Sequence, residues 1–137
     1  MPEPSLDLLR AVPLFAAADD AFLKRLAAEF MERDFAAGDT VAREGDAGRT
    51  FFVIDTGELT VNVRGEDVGR LGPGDSFGEM ALIDKSARSA TVTAATDVHA
   101  YQLPVWNFRP LVEQHPEVSW ALLETLAERV RTAESRD

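Results

Sequence analysis

Phe77-Gly78-Glu79-Met80-Ala81-Leu82-Ile83-Asp84-Lys85-Ser86-Ala87-Arg88-Ser89-Ala90-Thr91-Val92 is the stretch on which the reading of this chain turns. It sits between segments of strand character, and its chemistry is that of a site. Gly78 lets the main chain approach a ligand closely. A single helical turn beginning near Glu79 would aim unpaired N–H groups and a positive dipole end at an anion. Arg88 offers a phosphate a bidentate fork, and Ser89 adds a hydroxyl and an N–H beside it. Glu79 is the odd member, since a carboxylate repels phosphate. Its use is to accept a hydrogen bond from a hydroxyl, such as that of a ribose. Phosphate donors with one hydroxyl acceptor point to a nucleotide. Taken alone, Arg88 and Glu79 would be read as a surface ion pair worth at most about 1 kcal/mol, and Ser89 as a strand-entry residue. The whole arrangement carries the reading.

Working outward, glycines at 38, 45, 48, 57, 65, 69, 72, 74 and 78 cut residues 35–103 into short β-branched or aromatic pieces. That punctuation predicts a small antiparallel barrel or sandwich. Phe52 and Ile54, then Leu59, Val61 and Val63, alternate with polar residues on either side of Gly57, which predicts a hairpin arm bent at that glycine. A turn is expected at Arg64-Gly65-Glu66-Asp67, and a further strand pair at Ser89 to Ala95 and Asp97 to Leu103. Apart from Gly78, the glycines are read as turn formers.

Helices flank this zone. Ser5 is an N-cap for a short helix stopped by Pro13, and Asp19 and Asp20 open a second helix running to about Met31 on Phe22, Leu23, Leu26, Ala27 and Phe30. After Pro104, residues 105–114 and 117–133 carry helical spacing, with Pro116 in a compatible first-turn position. In the last helix Val118, Ala121, Leu122, Leu126 and Val130 form an apolar stripe, which is expected to lie on the barrel or a partner helix. The chain is therefore expected to be one mainly β domain over residues 1–137, with helices at about 5–31, a barrel or jelly roll at about 35–103 and C-terminal helices at about 105–133.

Composition narrows the function classes. The 137 residues are 45% hydrophobic, enough for one core, and contain no cysteine, so disulfides, thiolate metal sites and thiol nucleophiles are absent. With 24 acidic residues against 14 basic ones the net charge is -10, and the twelve arginines and two lysines are scattered, which argues against a nucleic-acid surface. The N-terminal residues have no secretory pattern and no apolar run reaches membrane-spanning length, so a cytoplasmic location is expected. His99 and His115 are too far apart in the pattern to build a metal site alone, and Trp106 and Trp120 are expected to be core or interface anchors.

The stretch at 77–92 resembles the phosphate-binding cassette of the cyclic nucleotide-binding domain family, found in protein kinase A regulatory subunits, catabolite-activator-type regulators and cyclic-nucleotide-gated channels. The matching pattern is Phe77-Gly78-Glu79, Ala81-Leu82, then Arg88 with Ala90-Thr91-Val92. Gly38-Asp39, Gly45-Asp46, Phe52-Val53-Ile54, Gly57-Glu58-Leu59 and Gly72-Pro73-Gly74-Asp75 resemble the family's strand and turn landmarks, so that the similarity spans roughly residues 10–131. It implies a β-barrel flanked by helices, with the C-terminal helix as a lid, and a sensing role.

It also implies a set of ligand contacts: Phe77, Gly78, Glu79, Met80, Ala81, Arg88, Ser89 and Ala90 from the cassette, and Val61 and Val63 from the barrel wall. Arg88 would pair with the exocyclic phosphate oxygens and Glu79 would accept from the ribose 2′-hydroxyl. Gly78, Ala81 and Ser89 would offer backbone N–H groups, and Val61, Val63 and Met80 would lie beside the base. The ligand would be cyclic AMP in preference to cyclic GMP, with no further cofactor, and the output would pass to a homodimer partner or an effector protein.

Three departures stand out. Ala87 replaces the proline that often precedes the arginine, and Ser89 stands where the kinase domains have alanine. Arg49 stands where the kinase domains have an acidic residue supporting the phosphate arginine, so the shell around Arg88 is expected to differ and Arg49 to add positive potential. A cupin-type metalloenzyme is disfavoured by the two separated histidines. A barrel kept for interaction after losing its ligand is disfavoured by the retention of both Glu79 and Arg88.

Overall fold

The computed structural model describes residues 3–16, 18–78 and 87–135. Helices α1 (Leu6–Arg10) and α2 (Asp20–Glu29) come first, joined through a 3-10 turn at Pro13–Phe15. The strands are β1 (Met31–Phe35), β2 (Thr40–Ala42), β3 (Thr50–Thr56), β4 (Leu59–Val63), β5 (Glu66–Leu71), β6 (Ser76–Phe77), β7 (Thr91–Ala94) and β8 (Val98–Pro104), and the chain closes with α3 (Val105–Gln114) and α4 (Pro116–Glu134).

Helix starts follow the local chemistry. The Ser5 hydroxyl accepts from the Leu8 N–H at 3.1 Å and the Asp19 carboxylate from the Phe22 N–H at 2.8 Å, each satisfying a donor the helix leaves unpaired. At its other end α2 stops at Glu29, because Phe30 takes an extended conformation (φ -80°, ψ 150°) and β1 begins at once, earlier than the expected Phe35. The sequence Met31-Glu32-Arg33-Asp34 has no apolar period. It becomes a strand by pairing with β8, from Met31 opposite Gln102 to Phe35 opposite Val98.

The strands form two four-stranded antiparallel sheets, ordered β1-β8-β3-β6 and β2-β7-β4-β5. Among the described residues they do not close into a barrel; the architecture is a jelly-roll-like sandwich. The expected hairpin arm bent at Gly57 is divided, with β3 in one sheet and β4 in the other, and the expected strand pair is likewise divided between β7 and β8. Both pairs of strands instead mark places where the chain changes sheet, and the two crossings lie side by side. Gly57 has φ +97°, and a side chain there would run into the Asp97 carbonyl oxygen. The Glu58 carbonyl accepts from the Ala95 N–H at 2.9 Å, and the Glu58 N–H donates to Thr96 Oγ1 at 3.0 Å. The hairpin that does form joins β4 to β5, from Leu59 opposite Leu71 to Val63 opposite Glu66.

Two apolar layers result. Between the sheets lie Phe35, Phe52, Ile54, Leu59, Val92, Val98 and Ala100; on the outer face of the first sheet Phe51, Val53, Tyr101 and Leu103 pack against Leu9, Phe15, Phe22, Leu23, Leu26 and Phe108 of the helices. Strand β3 is thus buried on both faces, which explains why Phe51-Phe52-Val53-Ile54 is a continuous apolar run and not the alternation expected of a half-exposed strand. Helix α4 joins the helical layer through Val118 and Leu122, whereas Val130 is 55% exposed, so the expected stripe is covered only over its first turns. No helix among the described residues is long and apolar enough to cross a membrane.

Candidate functional site

Arg88 is anchored from its main chain outward. Its N–H donates to the Asp46 carbonyl at 2.7 Å and its own carbonyl accepts from the Gly45 N–H at 2.9 Å, while Ala47 and Ala87 form an antiparallel bridge. One step further, the Glu44 N–H donates to Thr91 Oγ1 at 3.0 Å. The 44–47 turn and residues 87–91 are therefore stitched together like a short ladder, which fixes the place from which the Arg88 side chain departs.

That side chain is half-buried, and its Nη2 donates to the Thr50 carbonyl at 2.6 Å. Two glycines form the seat. At Gly48 a Cβ would stand 2.9 Å from both Cδ and Nε of Arg88. At Gly78 it would stand 2.5 Å from Arg88 Nη1 and 2.7 Å from the Thr50 carbonyl oxygen, and φ there is +87°, so Gly78 is required both by space and by backbone conformation. Gly48, read from sequence as a turn former, has no positive φ; its role is close approach. Burial lowers the Arg88 pKa from its ordinary value, because desolvation disfavours the cation. Arginine starts so far above neutrality that the guanidinium stays charged.

Arg88 opens onto a cavity of about 310 Å³, lined also by Thr40, Val41, Ala42, Arg43, Asp46, Ala47, Arg49, Thr50 and Phe52. Phe52 stacks on Phe77, with centroids 4.9 Å apart and planes 18° from parallel, so Phe77 supports the wall from behind. Ser89 is exposed and Ala90 half-buried next to Arg88 in the chain. Val61 and Val63 are half-buried on β4, where Val61 packs against the inter-sheet layer; neither lines this cavity. Glu79, Met80 and Ala81 lie outside the described residues. No α4 residue lines the cavity among the described residues. The sequence reading missed Gly48, the Thr50 carbonyl, Arg43 and Asp46. The available signal was Gly45-Asp46-Ala47-Gly48-Arg49, whose two glycines and two charges mark a loop at a site as well as a turn.

The two histidines are apart. His99 on β8 is held by Asp55 and Glu32 carboxylates at 2.9 and 3.1 Å, and His115 between α3 and α4 packs its ring against Phe22, with centroids 5.1 Å apart. Among the described residues no group of three His, Cys, Asp or Glu side chains could hold a metal ion.

The site is thus a β-sandwich flanked by helices that seats one arginine on two glycines at a small cavity, an arrangement suited to holding an anion. Comparison with known proteins supplies the family. A family model described as cyclic nucleotide-binding domain matches residues 32–115, more than half of the chain. The mouse (Mus musculus) potassium/sodium hyperpolarization-activated cyclic nucleotide-gated channel 3 is 36% identical over 124 residues, which is 90% of this chain and 16% of the channel. Among solved structures, the N-terminal domain of a transcriptional regulator from Streptomyces coelicolor A3(2) superposes with a TM-score of 0.85 at 36% identity, covering 94% of this chain and 96% of that one. The regulatory domain of Toxoplasma gondii PKA, crystallised with cAMP, gives a TM-score of 0.72 at 32% identity, covering 77% of this chain and 42% of that one. The chain belongs to the cyclic nucleotide-binding domain family.

Proposed function

We propose that this chain is a non-catalytic receptor domain that binds a cyclic nucleoside monophosphate beside Arg88, cyclic AMP in preference to cyclic GMP. The observation that carries the reading is the seat of Arg88: a half-buried guanidinium, committed by one arm to the Thr50 carbonyl and resting on Gly48 and Gly78 at the wall of a small cavity. Holding the fork in place before the ligand arrives lowers the ordering cost of binding. The cyclic phosphate oxygens take the remaining Arg88 donors and the Gly78 and Ser89 N–H groups, and Glu79 takes the ribose hydroxyl. The Toxoplasma relative's complex with cAMP supports cyclic AMP as the ligand class. No further cofactor is required.

Binding is passed on through α4. This helix is docked by Val118 and Leu122, while Trp120 and Leu123 are 66% and 56% exposed, so a small buried area has to be exchanged for the helix to move onto the ligand. The output goes to a second copy of the domain or to an effector protein in the cytoplasm, without nucleic acid or membrane at this surface.

Calorimetric titration of the intact chain with cyclic AMP and cyclic GMP tests the reading. Binding of both, with cyclic AMP tighter, is expected; no heat from either at millimolar concentration overturns it. Hydrogen exchange of α4 with and without nucleotide tests transmission, and identical protection in the two states rejects it.

A further inference from the structure

Among the described residues, the cavity beside Arg88 is lined by more positive than negative side chains. Three of the described lining residues are arginines, Arg43, Arg49 and Arg88, and one is an acid, Asp46, in a chain whose net charge is -10. Elsewhere acids capture arginines: Arg10 pairs with Asp20, Arg70 with Glu58 and Arg109 with Glu113. Among the described residues, neither Arg43 nor Arg49 has a carboxylate within ion-pair distance. Arg49 is also tightly placed by its main chain. It lies between Gly48 and Thr50, both of which touch Arg88, and its carbonyl accepts from the Val105 N–H at 3.0 Å at the start of α3.

We infer that Arg49 is a second cationic determinant of affinity for the nucleotide phosphate, acting across the cavity beside Arg88; this rests on the proposed nucleotide-binding role. Arg88 has one arm taken by Thr50 and serves as the short-range, oriented donor. Arg49, exposed on a flexible stem, supplies attraction through the cavity and offsets the repulsion of the acidic surface. A compact space of about 310 Å³ is about as wide as the screening length of about 8 Å at physiological salt. A charge on one wall therefore still acts on an anion at the other. This contribution is strongly salt-dependent, because Arg49 is exposed, whereas the desolvated Arg88 contact is much less so.

The test is calorimetric titration of the full chain with cyclic AMP at low, physiological and high salt, for wild type, Arg49→Ala, Arg49→Lys and Arg49→Glu. Arg109→Ala, an exposed arginine on α3 that does not line the cavity, controls for net charge, and circular dichroism checks that each variant is folded. Expected are a loss of about fivefold for Arg49→Ala at physiological salt, the scale of an exposed ion pair, a flatter salt dependence, a larger loss for Arg49→Glu, and recovery by Arg49→Lys. If wild type binds and Arg49→Ala matches it in affinity and in salt dependence, the inference is overturned and the nucleotide reading stands. An equal loss in Arg109→Ala also overturns it, by assigning the effect to net charge. Absence of binding by wild type overturns both.

Discussion

Gly48 lies directly against the stem of Arg88, so close that a methyl group at position 48 would stand 2.9 Å from both Cδ and Nε of the arginine. Gly48→Ala is backbone-compatible, since φ is not positive there, yet it must displace the guanidinium from its seat. We expect cyclic AMP affinity to fall about tenfold or more, as oriented contacts are lost with small displacements, while the melting temperature shifts by only a few degrees. Calorimetry and thermal unfolding measure both. Unchanged affinity would show that the seat does not set the arginine's position.

Arg88 itself separates charge from geometry. Arg88→Ala should cost about 2–3 kcal/mol of cyclic AMP binding, the range for a charge-assisted contact at a partly buried site. Arg88→Lys should recover only part, because an ammonium cannot donate to Thr50 and to the phosphate as a planar fork does. Full recovery by lysine would reduce the site to a point charge.

His99 makes stability depend on pH. Its Nδ1 and Nε2 both face carboxylates, Asp55 at 2.9 Å and Glu32 at 3.1 Å, and satisfying both requires a proton on each nitrogen. A bulge in β3 between Ile54 and Thr56 puts Asp55 in this position. The Asp55 hydrogen bond raises the His99 pKa above 6.5; burial opposes it, and Glu32 and Asp34 add to the rise. A raised folded-state pKa contributes stability that is complete below the unfolded value near 6.5 and is lost as pH climbs through the folded value. Wild type should therefore lose stability relative to His99→Gln as pH rises from about 6 to 9, read from urea midpoints, and Asp55→Asn should lower the His99 midpoint seen by NMR. A wild-type midpoint at or below 6.5 would contradict this.

Phe51 tests the helical layer. It is fully buried, with edge contacts to Phe15 and Phe30 at ring centroid distances of 5.8 and 6.3 Å. Phe51→Ala should cost about 3–5 kcal/mol by urea unfolding, whereas Val68→Ala, at 59% exposure on β5, should stay within about 0.5 kcal/mol. A small loss at Phe51 would mean that the helices are not packed on β3.

Much of the chain was legible because its signals are local. Ser5 and Asp19 cap the helices they precede, Pro116 opens α4, and Arg88, singled out by its neighbours in the chain, lies at the wall of a small cavity. Less visible were features that depend on partners far along the chain. β1 has no apolar period and exists through β8; β3 and β4 are separated by two residues yet belong to different sheets. Alternation tells which face of a strand is apolar, but it does not say which sheet the strand joins.

By itself the sequence determined the succession of a helical start, a strand-rich middle and a helical end, and it singled out the residue proposed to meet the phosphate, because capping, period and the cassette pattern act over a few neighbouring residues. Only the tertiary structure decided what holds that residue. The Thr50 carbonyl lies 38 positions before Arg88, and Gly48 and Gly78 come from separate segments. They meet because the sheets of the sandwich, the 44–47 turn and residues 87–91 pack together through space, and a seat made by close approach leaves no periodic trace in the chain.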